Sequence, residues 1–250
     1  MFLRILYQDN YLVAVDKPPG LLVHRTGLDA GETLFALQLL RDQLGRPVWP
    51  AHRLDKGTSG VLLFALDAGT ARVLGAAFEA PDLVHKTYRA VVRGWPPESG
   101  LIDHPLQRMD DDARAGRTPV QDAQTRYRTL ARYELPLPQG DFPTTRCALV
   151  ELKPLSGRRH QLRRHLKHIA HPIIGDATHG KGPLNRALAA LLGAQRLWLH
   201  ALRLELVHPV HGTVLPLEAP PGPDWALWRR SSDAAQASSR SAATVSASVR

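Results

Sequence analysis

The stretch His52-Arg53-Leu54-Asp55-Lys56-Gly57-Thr58-Ser59-Gly60 sets one carboxylate two residues after an arginine, within a loop of small residues. An apolar run, Val61-Leu62-Leu63-Phe64-Ala65-Leu66, follows at once. Turn residues feeding a buried strand make a rigid platform, and chemistry tends to sit on loops carried by such platforms. A solvated Asp in a surface turn is the plain alternative. Several other chemistries fail here. Gly57-Thr58-Ser59-Gly60 lacks the glycine spacing of a nucleophile elbow. No second acid sits in a comparable loop, as a glycosidase pair would need. Gly175-Asp176-Ala177-Thr178-His179-Gly180-Lys181-Gly182 nearly spells a phosphate-binding loop, but Gly182 stands where Ser or Thr would reach the metal. Pro183 then discourages the helix that should hold the phosphate. His160, His165, His168 and His171 invite a metal reading, but no cysteine or convergent carboxylate joins them, and the arginines around them would repel a cation.

The elements that must carry these residues can be read from periodicity. Strands are expected at 3–6 and 12–15 around the polar turn Gln8-Asp9-Asn10, and again at 21–23 after Pro18-Pro19-Gly20. An amphipathic helix over 33–44 presents Leu34, Leu37, Leu40 and Leu44. Asp67 can cap a helix reaching about residue 79, with Val73, Leu74, Ala77 and Phe78 inward. Residues 85–94, 125–133, 145–155 and 196–207 alternate as strands, the middle two as neighbours. Residues 103–124 read as a long, polar, partly mobile excursion, and the part from Met109 to Gly116 follows no pattern. Over 157–170, Leu162, Leu166 and Ile169 form an apolar stripe, while Arg159, Arg163 and Lys167 form a basic stripe on another face. A short helix is expected over 185–192. Strands and helices mix without βαβ alternation, so the fold class is α+β, with a mixed, mostly antiparallel sheet and flanking helices.

Composition narrows the partners. The chain has 250 residues, enough for one large domain, and 44% of them are apolar. The 32 Lys and Arg against 23 Asp and Glu leave a formal charge of +9, a field that attracts polyanions, nucleic acid before anionic membranes. Twelve histidines hold positive charge in reserve at mildly acidic pH. The single cysteine, Cys147, excludes a disulfide within one chain, fits a reducing compartment and reads as an inert core thiol. No signal-peptide core is present, and no run of about 18 apolar residues could span a membrane. A soluble cytoplasmic protein is expected, with one domain over 1–230 and a disordered Ser- and Ala-rich tail over 231–250.

The ordered motifs together resemble a known family. His52-Arg53-Leu54-Asp55 with Thr58-Ser59-Gly60 is similar to the signature loop of the RluA family of pseudouridine synthases. Asp16-Lys17-Pro18-Pro19-Gly20 resembles that family's first motif, Lys86-Thr87-Tyr88 the motif with its active-site tyrosine, and Gly157-Arg158-Arg159-His160-Gln161-Leu162-Arg163 its arginine-bearing motif. Leu199-His200-Ala201 matches a later segment, so the resemblance covers roughly residues 3 to 228. Val23-His24-Arg25, Pro143-Thr144-Thr145-Arg146, and the run from His160 through Leu166 into His171-Pro172-Ile173-Ile174-Gly175-Asp176 resemble a subgroup that acts on tRNA. Like that subgroup, the chain is expected to start at the catalytic domain, without a separate S4 RNA-binding domain.

The resemblance implies a pseudouridine synthase fold with a catalytic cleft, and isomerisation of a uridine in folded RNA to its C5-glycoside. It implies no cofactor, no metal and no membrane, a monomer, and tRNA as partner, with uridine 65 in the acceptor and T-stem region as target. Asp55 is then the essential carboxylate, attacking C1′ of the sugar or acting as a base at C2′. Arg163 pairs with it, lowering its pKa and fixing its rotamer. Tyr88 stacks on uracil and helps proton transfer at C5, while Leu162 walls the pocket. His52 and Arg53 meet the substrate, Arg53 on phosphate or in turning the base out of its stack, which costs about a few kcal/mol. Arg25, Arg158, Arg159 and Lys167 are phosphate-contact candidates. The rivals are a synthase acting on ribosomal RNA or on both RNAs, a non-catalytic RNA-binding protein on the same fold, and a polyanion-binding metalloprotein.

Overall fold

The computed structural model describes residues 1–25, 31–80, 82–109, 119–228 and 231. The expected tail from 232 onward, and residues 110–118 of the expected excursion, lie outside the described residues. In chain order the strands are β1 (Arg4–Gln8), β2 (Leu12–Lys17), β3 (Trp49–Pro50), β4 (Ser59–Ala65), β5 (Val84–Arg93), β6 (Ser99–Asp103), β7 (Leu106–Gln107), β8 (Val120–Gln121), β9 (Gln124–Leu135), β10 (Thr145–Pro154), β11 (Leu199–Val207) and β12 (Val214–Glu218). The helices are α1 (Ala36–Leu44), α2 (Ala68–Glu79), α3 (Gln161–His168) and α4 (Gly182–Leu192).

Ten strands form one sheet in the order β1-β2-β4-β11-β5-β10-β9-β6, with β3 beside β4 and β12 beside β11. Its pairs are antiparallel except β4 with β11, which run parallel through His200–Ser59 and Ala201–Gly60. Strand β4 is buried along its whole length, which is why its sequence is a continuous apolar run rather than an alternating one. Its alternate residues feed two cores. Leu62 and Phe64 pack with Val13, Val15 and the α1 residues Ala36 and Leu40, whereas Val61, Leu63 and Ala65 pack with Leu12, Ala14 and Leu74 of α2. The far half of the sheet repeats the scheme. Ala90, Val92, Ala148, Val150 and Leu152 pack under α3, and Val91 and Cys147 pack with Leu184, Leu188 and Leu192 of α4. Tyr88 touches both the α1 and the α3 clusters, and so marks the seam between the two halves.

Asp67 caps α2 as expected, its Oδ1 accepting the Thr70 amide at 2.8 Å, a cap worth about 1 kcal/mol. Three expectations change. Residues 21–23 form no strand, because their carbonyls are taken elsewhere: Leu21 by the Lys17 ammonium, Leu22 and Val23 by the first amides of α1. Leu34 precedes α1 and is exposed, and Val73 is exposed on α2 while Leu74 is buried. The polar excursion contains the small β7–β8 ribbon, tied to the α3 region through backbone carbonyls: Arg158 donates to Asp122 O and Arg164 to Gln107 O.

The parallel joint needs Gly60. Its φ is +109°, and a Cβ there would lie 2.1 Å from the Ala201 carbonyl oxygen. Gly60→Ala should therefore cost about 3 kcal/mol or more in urea unfolding. Gly75→Ala in α2, where a Cβ meets nothing within 4 Å, should be neutral or slightly stabilising in the same measurement.

Candidate active site

A cleft of about 400 Å³ opens where the loop before β4, strand β5 and the start of α3 meet. Its lining includes Asp55, His52, Arg53, Tyr88, Arg158, Arg159, Leu162 and Arg163, which the sequence had scattered over more than a hundred positions. Arg25 and Lys167 are exposed and lie outside this lining; the Arg25 guanidinium sits 5.7 Å from the Phe35 ring centre.

Arg163 is the centre of the arrangement. Although periodicity puts it on a basic helical face, Arg163 is only 8% exposed. Its Nε and Nη2 donate to the two oxygens of buried Asp176 at 2.7 and 2.8 Å, and Nη1 donates to Asp55 Oδ2 at 3.0 Å. A buried cation needs such partners, because leaving it unpaired costs several kcal/mol. Burial opposes its charge, yet the bonds and charges of Asp176 and Asp55 hold its pKa above the ordinary arginine value. Asp176 is likewise opposed by burial, but Arg163 and the amides of His179 and Thr178 hold its pKa below the carboxylate range. Gly175 (φ +79°) makes this turn possible: a Cβ would lie within bonding distance of the Arg196 carbonyl oxygen.

Asp55 itself is reached from both sides. Its loop is clamped by Lys17, whose buried ammonium donates to the carbonyls of Pro18, Leu21 and Lys56 at 2.9, 2.7 and 3.2 Å. The Gly20 amide adds a bond to the same Lys56 carbonyl. Burial drives the Lys17 pKa down to about 7, with the Asp55 charge opposing. On the other side, His160 Nε2 stands 3.8 Å from Asp55 Oδ1. Gln161 fixes the start of α3: its Oε1 accepts from Ser156 Oγ and the Arg158 amide, and its Nε2 donates to the Gln124 carbonyl.

Tyr88 and Leu162 line the cleft. Burial and the Asp55 charge raise the Tyr88 pKa, so the phenol keeps its proton at neutral pH and can donate it in a hydrogen bond. His52 is wall rather than polar contact. Its ring stacks on Phe78 at 4.8 Å, Nε2 accepts the Leu63 amide at 3.1 Å, and burial with the Lys86 charge lowers its pKa to about 3. Arg53 is exposed at the rim. The four histidines whose spacing invites a metal reading have separate partners: His165 has Thr125 and the His104 carbonyl, His168 a stack on His104, His171 the Arg93 carbonyl, and His160 lines the cleft. Among the described residues, one trio with converging donors is Asp9, His208 and His211. His208 Nδ1 already accepts two backbone amides there, and its Nε2 donates to Asp9 Oδ2 at 2.8 Å, so no lone pair of His208 faces an ion.

Sequence reasoning gave no site role to Asp176 or Lys17, and weighed His160 only as a metal ligand. Asp176 was hidden in a near phosphate-loop motif, and nothing in spacing alone ties it to Arg163.

The fold is that of pseudouridine synthases. The solved structure described as human RNA pseudouridylate synthase domain containing 4 superposes with a TM-score of 0.66 at 30% identity, covering 90% of each chain. A family model described as RNA pseudouridylate synthase matches residues 11–168. The chain is 50% identical over 211 residues to tRNA pseudouridine synthase C of Vibrio cholerae, covering 83% of this chain and 86% of that protein. It is 51% identical over 215 residues to the protein of that name in Pasteurella multocida, covering 84% and 88%. The chain belongs to the RluA-family RNA pseudouridylate synthases, and it is an isomerase.

Asp176→Asn keeps the shape of the fork and removes its charge. The loss should be about 3 kcal/mol or more in urea unfolding near pH 7. The folded pKa of Asp176 is depressed, so its contribution is present above the ordinary carboxylate range and lost as pH falls through the folded value. The gap between wild type and variant should therefore narrow below about pH 4.

Proposed function

We propose that this enzyme isomerises a uridine of tRNA to pseudouridine, at uridine 65 in the acceptor and T-stem region, with Asp55 as the reacting carboxylate. The observation that carries this reading is the division of the Asp55 carboxylate. Oδ2 accepts from Arg163, while the other oxygen faces the cleft with no partner closer than 3.8 Å among the described ion pairs. A carboxylate tethered by one oxygen keeps its orientation and still has a lone pair to offer. Support for tRNA comes from the two relatives just described, both called tRNA pseudouridine synthase C.

The chemistry follows from the geometry. A uridine turned out of its helix brings its sugar to Asp55 and its base against Tyr88 and Leu162. Asp55 then attacks C1′ or removes the C2′ proton, and the C1′–N1 bond breaks. The freed uracil turns while the cleft walls hold it, and C5 bonds to C1′. The Tyr88 phenol, held protonated, donates to a uracil oxygen. Arg53 at the rim and the guanidinium groups of Arg158 and Arg159 meet phosphates, offsetting the cost of extruding the base. One copy of the chain supplies all of these groups, in keeping with a monomer whose residues 1–230 form a single catalytic domain. A tRNA substrate puts the enzyme in the cytoplasm.

Asp55→Ala should abolish tritium release from tRNA labelled at uridine C5, a fall of at least about a thousandfold. Retained release would remove Asp55 from the chemistry. Mapping pseudouridines in RNA from cells lacking the protein should show position 65 of tRNA unmodified. An intact tRNA with a missing ribosomal site would reverse the choice of substrate. Arg53→Ala should weaken tRNA binding and reduce the slope of log K against log salt by about one.

A further inference from the structure

Isomerisation leaves one proton to be accounted for. When C5 bonds to C1′, C5 still carries its hydrogen. That hydrogen must depart as a proton, its bonding pair forming the C5–C6 double bond and pushing the C6–N1 pair onto N1, which takes up a proton in turn. The cleft offers few bases for the C5 proton. Tyr88 keeps its own proton, His52 Nε2 is committed to the Leu63 amide, and Asp55 Oδ2 is committed to Arg163.

His160 is uncommitted on the cleft side. It sits just before α3 with φ +53°, an uncommon conformation for a non-glycine residue, and its side chain lines the cleft. Its Nε2 lies 3.8 Å from Asp55 Oδ1, too far for a direct hydrogen bond. Its Nδ1 lies 3.2 Å from His179 Nε2, the rings meeting edge-on at 80°. His179 is half-buried, on the turn that Asp176 holds through the His179 amide. Two imidazoles are thus joined in file from the cleft toward the surface.

We propose that His160 takes the C5 proton at Nε2 and that His179 continues the transfer, a two-imidazole relay serving the isomerisation and resting on that reading of the cleft. With His160 Nδ1–H donating to His179, the Nε2 lone pair faces the cleft. As the C5–H bond breaks, Nε2 gains the proton, the Nδ1 proton crosses to His179 Nε2, and the His179 Nδ1 proton passes to water. The reverse passage delivers a proton from His160 Nε2 to N1 and restores both tautomers. One C–N and one C–H bond break, one C–C and one N–H bond form, and no net proton is consumed.

The charges around the pair keep it neutral. Burial lowers the His160 pKa most, Arg163, His179 and Arg159 add to this, and Asp55 opposes. Burial likewise lowers His179, with Arg163, Lys167 and Arg164 adding and Asp176 opposing. Both rings then hold a lone pair at neutral pH, and both lose it on acidification.

The test is single-turnover isomerisation of tRNA carrying either hydrogen or deuterium at the target C5. His160→Asn suits it because Asn tolerates a left-handed backbone. Its rate should fall about a hundredfold, and a primary deuterium isotope effect absent from wild type should emerge. His179→Gln should give a smaller loss with an isotope effect of the same kind. An unchanged rate in His160→Asn overturns the relay. So does a slowed rate without an isotope effect at C5, which would make His160 a positioning residue for Asp55. Nitrogen-15 NMR of the free protein needs no substrate: two neutral rings at pH 7 with complementary tautomers are expected, and an imidazolium at His160 overturns the proposal. Wild type inactive on tRNA but with the expected ring states would count against the tRNA assignment alone.

Discussion

One guanidinium governs this site. Arg163 is buried, and a buried cation is tolerated only where its charge and its hydrogen-bond donors are both met. Asp176 meets most of that demand with two bonds, and Asp55 receives the third. The order matters. Were Asp55 the main counter-ion, both its oxygens would be drawn to the guanidinium. Because Asp176 neutralises Arg163, Asp55 is held by one oxygen and keeps the other for the cleft. The planar fork makes this split possible, since a lysine could not bind one carboxylate bidentately and direct a further donor at a second.

The fold exists, in this sense, to bring one helix, one turn and one loop together at that guanidinium. Arg163 comes from α3, which packs Leu162 and Leu166 onto the face of β5 and β10. Asp176 comes from the turn after Ile173, whose neighbour Ile174 donates its amide to Val91 of β5. Asp55 comes from the loop before β4, fastened below by Lys17. The same strand, β5, runs beneath all of it and carries Tyr88. A shift of one residue in its register would turn Tyr88 to the far face, so the pairing of β5 with β10 and β11 fixes the cleft as firmly as any polar bond.

The sequence disclosed the loops better than their couplings. The run 61–66 had to be a buried strand, and Asp67 had to cap what followed, because both rest on local patterns. Alternation at 85–94 gave β5 and hence the side of Tyr88. Periodicity then misled for Arg163. Only Arg163 and Lys167 of that stripe lie in α3, Arg159 falling in the turn before it, and a charge finds its place through a partner: Asp176 lies beyond the end of the helix. Lys17 is similar. A lysine before two prolines reads as solvated, and only the folded chain collects the carbonyls of Pro18, Leu21 and Lys56 around its ammonium. Residues 21–23 failed as a strand for the same reason, their carbonyls being spent on Lys17 and α1.

This separation of buried from exposed charge explains how a strongly basic protein can leave one carboxylate oxygen of Asp55 unclaimed by its cations. Lys17 and Arg163 add little to the field outside, because Asp55, Asp176 and a ring of carbonyls answer them within a few ångströms. The attraction for a polyanion comes instead from exposed groups such as Arg53, Arg158 and Lys167, whose charges lie at the surface, open to screening by salt. Those residues can be exchanged for phosphate contacts without touching the inner balance. The inner pairing of Arg163 with Asp176 and Asp55 is complete without RNA, so the Asp55 carboxylate is oriented in advance. Preorganised charge of this kind needs no rearrangement when the reaction begins. The cleft achieves it with side chains and backbone carbonyls together, and burial, with the arginines adding to it, favours the neutral form of the His160–His179 pair beside it.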